Sequence, residues 1–421
     1  MIGLRSASSL AVRRAWLWRN RNDSGGSDAV SRGPRLLADV SGIIQHDART
    51  GIQRVVRALW LQLQSRQSRG FELVPVYASK THGYCYAPPD FLSRSNLDEP
   101  APVSVTAEDQ FLGLDLSAHL LPNYVSQLRA WRHRGATLNL MVYDLLPLLR
   151  PEWFTAAAVR HFRRWYSVLQ SEVDQAICIS GAVADQLRGL VQRAGRGVPL
   201  ITHIPMGSDW EGSLPTSGVG RDVTNILEAL GSRPAILMVG TVEPRKGYDV
   251  ALRAFEHLWQ NFPLDAPNLV IAGKPGWKTE TLQQKIRSHP EQGRRLHWLK
   301  AVTDEELGLL YDSCNGLLVA SYAEGFGLPL LEAAKHGRPV LARDVPVFRE
   351  QSLPSVAYFN DDSPESLGAA ILGITRASRW SRTAIDWTLP KWSDSAEELL
   401  RQLGLAGYPS GAGAASIRAF A

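Results

Sequence analysis

A chain of 421 residues, 44% of them hydrophobic, is long enough to bury two cores of about 150 to 200 residues each, which argues against a disordered or fibrous protein. Its 46 Lys and Arg against 41 Asp and Glu give a formal net charge of +5, which permits attraction to anionic lipid or nucleic acid without requiring it. Three cysteines, Cys85, Cys178 and Cys314, have no CxxC spacing, which argues against a disulfide framework or zinc site and for a reducing, cytoplasmic compartment.

At the start, Arg13 and Arg14 interrupt the apolar run before a signal-peptide core develops, and no stretch reaches the ~20 apolar residues that span a bilayer. Residues 1–33 set Trp16 and Trp18 among Arg5, Arg13, Arg14, Arg19 and Arg21. They read as a basic leader, either flexible or an interfacial helix. The first domain, residues 34–206, opens with a strand at Leu36–Val40 and a helix carrying Ile52, Val55, Val56, Leu59 and Leu63 at helical spacing. Ahead of that helix Thr50 serves as its cap or, with Gly51, lets the backbone come close to a bound group. Further strands are expected at Phe71–Tyr77, Phe111–Leu116, Leu138–Tyr143 and Gln175–Ile179, separated by helix-length segments. That alternation indicates a parallel sheet whose ligands lie beyond the carboxyl ends of the strands. Asp144 falls at such an end, either to bind a substrate hydroxyl or to cap a turn. Two basic-aromatic clusters follow: Arg129, Trp131, Arg132, His133 and Arg134, then Arg160, His161, Phe162, Arg163, Arg164, Trp165 and Tyr166. They suit an anionic membrane surface or, equally, solvated helices with Trp165 in the core. Neither belongs to a nucleic-acid module, so no nucleic-acid partner is expected.

Residues 207–233, rich in glycine, read as a linker, and 234–390 as a second doubly wound domain with strands at Ala235–Val239, Leu269–Ala272, Leu296–Leu299, Gly316–Ala320 and Pro339–Ala342. In its first loop Arg245 and Lys246 precede Gly247. A guanidinium grips phosphate with two parallel hydrogen bonds and an ammonium adds a mobile point charge. Lys274, in Gly273-Lys-Pro-Gly-Trp277, stands in another strand-end loop that approaches a nucleotide or forms a plain turn. After Gly316–Ala320 comes Ser321-Tyr-Ala-Glu-Gly-Phe-Gly-Leu-Pro-Leu-Leu-Glu-Ala-Ala-Lys-His-Gly337. Pro329 suits the first turn of a helix and Gly337 its end, so the helix has about two turns and its opening attracts phosphate. Glu324 stands at the loop mouth, placed to hold a sugar or to face developing positive charge. Glu332 lies one turn into the helix, placed to accept hydrogen bonds from ribose. A last helix is expected within 391–405, and 406–421 reads as a flexible tail.

Glu324 and Glu332, with Gly-Phe-Gly-Leu-Pro between them, resemble the signature of family 4 retaining glycosyltransferases (glycosyl transferases group 1) of the GT-B fold. Val239-Gly-Thr-Val-Glu-Pro-Arg-Lys-Gly247 is similar to that family's phosphate-binding loop, and His203-Ile-Pro-Met-Gly-Ser-Asp209 to its interdomain segment. Asp47-Ala-Arg-Thr-Gly-Ile-Gln-Arg-Val55 resembles a segment of bacterial polysaccharide and O-antigen mannosyltransferase-like enzymes. The resemblance covers about residues 35 to 403. It implies two Rossmann-like doubly wound α/β domains around a cleft, with a C-terminal helix returning to the first domain. It further implies retaining transfer of a sugar, mannose or a related hexose, from a nucleotide diphosphate donor to a hydroxyl of a polysaccharide or lipid-linked glycan, at the inner face of a plasma membrane. Glu324, Arg245, Lys246 and Asp144 would be catalytic, and Glu332, Phe326, Gly327, Leu328, Gly240, Gly51 and Lys274 would bind the donor. No Asp-x-Asp motif is present, so no metal and no cofactor beyond the sugar nucleotide are expected. Many relatives carry His-Asp where this chain has Tyr143-Asp144, so no catalytic histidine is carried over. A sugar-nucleotide epimerase or phosphorylase on the same scaffold, or a binding protein without turnover, stays open.

Overall fold

The computed structural model describes residues 33–406 apart from 48–49, 68–69, 94–98, 195–198, 210–219, 232 and 377–388. The leader and tail expected from the sequence lie outside the described residues, save Gly33 and Ala406. The first sheet contains β1 (Arg35–Asp39), β2 (Glu72–Tyr77), β3 (Cys85–Tyr86), β4 (Gln110–Gly113), β5 (Thr137–Val142), β6 (Gln175–Cys178) and β7 (Leu200–His203). Its order is β3-β2-β1-β4-β5-β6-β7. All pairs are parallel except β2 with β3, and the register sets Leu36 beside Leu73 and Phe111 beside Leu138. The second sheet contains β8 (Ala235–Val239), β9 (Asn268–Ala272), β10 (Leu296–Leu299), β11 (Gly316–Val319), β12 (Val340–Arg343) and β13 (Val356–Phe359). It is parallel throughout, in the order β10-β9-β8-β11-β12-β13. Central strands such as β8 and β11 are covered on both faces, which is why they read as unbroken apolar runs.

The helices that shape the cleft are α1 (Gly51–Gln64), α2 (Val125–His133), α3 (Ala156–Glu172), α4 (Gly181–Ala194), α5 (Arg221–Leu230), α6 (Tyr248–Asn261), α7 (Asp304–Ser313), α8 (Leu328–Lys335), α9 (Pro346–Glu350) and α10 (Trp392–Gln402). α1 buries Val55, Val56, Leu59 and Leu63 against the first sheet. α10 belongs to the same core although it follows the second domain: Trp392, Ala396, Leu399 and Leu400 pack there. Its entry is fixed by Asp209, whose Oδ1 accepts the Trp392 N–H at 2.6 Å.

The structure departs from the sequence reading in two places and decides between its alternatives in a third. β3, β7 and β13 carried no strand signal: β3 is two residues long, and β7 is exposed or half-exposed along its length, so no apolar run marks it. α5 lies in the stretch read as linker and buries Val223 and Leu230 in the second core. Trp131 of α2 and Trp165 of α3 are each 2% exposed and fill the first core. The arginines around them stay outside, with Arg129 paired to Glu172 at 2.7 Å and Arg132 to Asp174 at 2.9 Å. The aromatic half of the expected membrane surface is therefore interior, because the two indoles contribute far more by filling the core than they could at the rim.

Candidate active site

β8 and β11 are the neighbours at which the second sheet reverses its order, and such a reversal leaves a crevice beyond the carboxyl ends of the strands. The loops leaving these two strands carry the charged residues picked out above. After β8, Gly240 takes φ 128°, and a tight turn at Pro244–Lys246 ends on Gly247 at φ 67°. Only glycine fits there, since a Cβ on Gly247 would stand 2.4 Å from the Ala320 carbonyl oxygen. After β11 comes Glu324. One of its oxygens accepts from Arg245 Nη1 and the other from Lys246 Nζ at 2.5 Å. Arg245 Nη2 also reaches Glu243 at 2.8 Å, while its Nε is buried with no hydrogen-bond partner among the described residues. Glu324, Lys246 and Arg245 are 10%, 14% and 16% exposed. Burial opposes ionisation of Glu324, but the two cations outweigh it and lower its pKa to about 2.

Asp144, leaving β5 of the first domain, joins this cluster. It is half-buried, and its Oδ1 accepts the Leu146 N–H at 3.1 Å, so it caps a turn as well. Burial pushes its carboxyl up against the pull of Arg245 and Lys246. Tyr143 beside it turns away: its ring is 2% exposed in the first core and its hydroxyl donates to the Leu114 carbonyl at 2.5 Å.

α8 opens on Gly327 at φ 97°, where a Cβ would meet the Phe348 ring at 2.6 Å. Phe326 and Leu328 pack onto the first core, and the Phe326 carbonyl accepts from Gln351 Nε2. A Cβ on Gly325 would lie 1.9 Å from the Tyr143 carbonyl oxygen, so the glycine admits the backbone of the first domain. Glu332 is 5% exposed, with Oε1 accepting from Arg54 Nη1 at 2.6 Å and Oε2 from the Tyr311 hydroxyl at 2.8 Å. Gly51 opens α1 behind the Thr50 cap, with Gln53 N–H 3.4 Å from Thr50 Oγ1, and nothing within 4 Å of where its Cβ would be. Lys274 is exposed at the end of β9, its carbonyl accepting the Val242 N–H at 2.9 Å.

The two domains are closed on one another. Ser180 Oγ donates to the Gly325 carbonyl at 2.7 Å. Glu350 accepts the Gly181 and Ala182 N–H groups at 2.7 and 2.8 Å, a carboxylate seated on the opening of α4. Trp277 Nε1 donates to the Trp153 carbonyl at 2.8 Å, and Lys278 Nζ to Glu152 and Phe154 at 2.6 and 3.0 Å. A cavity of about 20 Å³ persists beside Arg54, Leu328, Glu332 and Trp392, room for about one water. Sequence reasoning passed over Arg54, although it lies in the 47–55 segment that resembles other glycosyltransferases, and had no signal for Tyr311 or Glu350. Arg54 and Glu332 are 278 positions apart, and nothing local to the 47–55 segment says which residue Arg54 meets.

Residues 223–377 match the family model for glycosyl transferases group 1. The serotype-specific mannosyltransferase WbdA of Escherichia coli is 37% identical over 382 residues, covering 88% of this chain and 45% of that protein. The chain thus spans about half the length of the curated relatives it matches over most of its own. O-antigen chain mannosyltransferase B of Escherichia coli is 31% identical over 151 residues, 35% of this chain and 38% of that protein. Sucrose-phosphate synthase from Thermosynechococcus elongatus superposes with a TM-score of 0.61 at 19% identity, over 89% of this chain and 100% of that one. HepE of Anabaena does so with a TM-score of 0.54 at 15% identity, over 88% and 95%. The last two likenesses are of fold. Residues 223–377 are thus a glycosyl transferases group 1 domain, set in a pair of facing α/β domains with the GT-B fold.

Proposed function

We propose that the chain transfers a hexose, mannose or a close relative, from a nucleoside diphosphate donor to a hydroxyl of a growing bacterial polysaccharide or lipid-linked glycan, with retention at the anomeric carbon. The observation that carries this reading is Glu324 held ionised between Arg245 and Lys246 at the reversal of the second sheet. As the bond to the leaving diphosphate breaks, negative charge grows on the phosphate side. Arg245, Lys246 and the N–H groups opening α8 at Gly327 and Leu328 are fixed where that charge develops, so they favour the transition state over the ground state. The unpartnered Nε of Arg245 is one donor such a group would take. Three fixed donors of positive charge supply what a divalent cation would, so the reading needs no metal. Gly240, Lys274 and Gly51 flank the diphosphate, Glu332 takes the ribose diol, Glu324 holds the transferred sugar and Asp144 a substrate hydroxyl.

The relatives' names support the sugar and the polymer: WbdA is a serotype-specific mannosyltransferase, and a second relative of this chain is an O-antigen chain mannosyltransferase. The HepE structure holds UDP and glucose. No described helix is long and apolar enough to cross a membrane. Contact with the anionic inner face of a plasma membrane would run through Arg160, Arg163 and Arg164, which α3 exposes, rather than through its tryptophan. The test is a sugar-nucleotide screen that reads diphosphate release with and without mannose-terminated acceptors, followed by proton NMR of the product's anomeric centre. Acceptor-dependent release with an unchanged anomeric configuration is expected. An inverted product, or release indifferent to every acceptor, overturns the reading.

A further inference from the structure

The Arg54–Glu332 pair joins the first turn of α1 to the second turn of α8 across the cleft. It sits where the two would-be halves of a donor site meet. Arg54 holds one oxygen of Glu332 and Tyr311 the other, the side chain is 5% exposed and the adjoining cavity has room for about one water, so a ribose diol gains access to this carboxylate by displacing Arg54. A guanidinium removed from a buried carboxylate needs another anion, because its charge cannot be left unpaired in a closed site. Asp304 stands 3.7 Å away and offers one. The other lies in the direction of the cavity, which Arg54 lines together with Glu332 and Leu328, the first residue of α8. The opening of α8 is where helix N–H groups draw phosphate.

We propose that Arg54 is a donor-binding residue delivered by the first domain: it surrenders Glu332 to the ribose and transfers its guanidinium to the diphosphate, opposite Arg245 and Lys246. After the exchange Arg54 is paired with phosphate, and Glu332 is solvated by hydrogen bonds from the ribose diol and the Tyr311 hydroxyl. The exchange also makes the first domain sense the donor, since α1 reaches the phosphates only in the closed arrangement. This rests on the reading of Glu332 as the ribose acceptor given above.

The experiment compares nucleosides with their diphosphates. Calorimetry with uridine, guanosine, adenosine and cytidine diphosphates identifies the base, and the matching nucleoside, followed by NMR titration, reports the ribose contact alone. R54M is expected to weaken the diphosphate about tenfold or more, as loss of a charge-assisted phosphate contact does, while the nucleoside binds as tightly as to wild type or more tightly. Should R54M not fold, R54K keeps the charge without the paired donors and is expected to weaken the diphosphate several-fold with the nucleoside unaffected. Equal weakening of nucleoside and diphosphate, or a diphosphate affinity unchanged in a folded variant, overturns the proposal. Glu332→Gln decides the underlying reading separately: if it leaves the nucleoside affinity unchanged, the ribose assignment fails whatever Arg54 does.

Discussion

At neutral pH Glu324 carries its charge between Arg245 and Lys246, and the consequence for stability has a definite sign. Its pKa falls from 4.5 to about 2 on folding, so its contribution is fully present above the unfolded value and is lost as pH falls through the folded one. A shift of this size corresponds to about 3 kcal/mol. Wild type should therefore exceed Glu324→Gln in unfolding free energy by about that amount at pH 7, with the gap closing between about pH 5 and 2. Denaturant titrations across this range check it, and a gap that stays constant would contradict the ion-pair assignment. Arg245 looks from its loop position like an exposed charge of little structural weight, yet it lies among Glu243, Glu324 and Asp144. Arg245→Ala leaves buried carboxylates uncompensated and should cost about 3 to 5 kcal/mol of stability besides turnover. Lys246→Met, with Arg245 still in place, should lose turnover with a smaller drop in melting temperature. The two glutamates separate by ligand. Glu332→Gln should weaken the free nucleoside diphosphate by about 1 to 3 kcal/mol, whereas Glu324→Gln should lower kcat with the intact donor and spare the free diphosphate, which has no sugar for it to hold. Equal effects of both on calorimetric binding would show the roles to be misassigned.

At the scale of elements, the loop between β11 and α8 and the opening of α1 are both marked by glycine, but for different reasons. Gly325 is required by the Tyr143 carbonyl, 1.9 Å from where its Cβ would be, while Gly51 faces open space. Gly325→Ala should push the domains apart and lower the melting temperature. Gly51→Ala should leave melting unchanged or raise it by the stabilisation of about 0.4 to 1 kcal/mol expected when an unstrained glycine is replaced. If Gly51 exists for close approach to a ligand, the same variant loses diphosphate affinity; melting curves beside calorimetry distinguish these. The central strands were legible because both their faces are buried and the sequence cannot alternate. β7 and β13, exposed or half-exposed over most of their lengths, gave no such signal. α8 was legible from Pro329 and Gly337, since backbone geometry alone dictates those residues.

At the scale of the whole molecule, polar contacts spread across the interface accompany the apolar contact of Phe326 and Leu328 with the first core. Glu350 on the opening of α4 and Trp277 with Lys278 on the 152–154 carbonyls are spaced along it. Trp277→Ala combined with Glu350→Gln should shift the protein toward an open form. Small-angle scattering should then show a larger radius of gyration than wild type, reversed in part by saturating nucleoside diphosphate. An unchanged profile would mean that the remaining contacts hold the domains closed on their own.

The sequence by itself determined two parallel-sheet domains and the charged residues at the strand ends between them, Glu324, Arg245 and Lys246 in loops and Glu332 on a helix. Strand burial, helix punctuation and phosphate chemistry are local demands, and they leave local marks. What the tertiary structure decided is which groups meet: Arg54 with Glu332, Asp144 with the Arg245 cluster, Glu350 with α4, and Trp131 and Trp165 with the core instead of a membrane. These pairings join residues far apart in the chain, and an arginine on a polar helix face or a tryptophan between arginines has the same local pattern whether its partner is solvent, lipid or another domain.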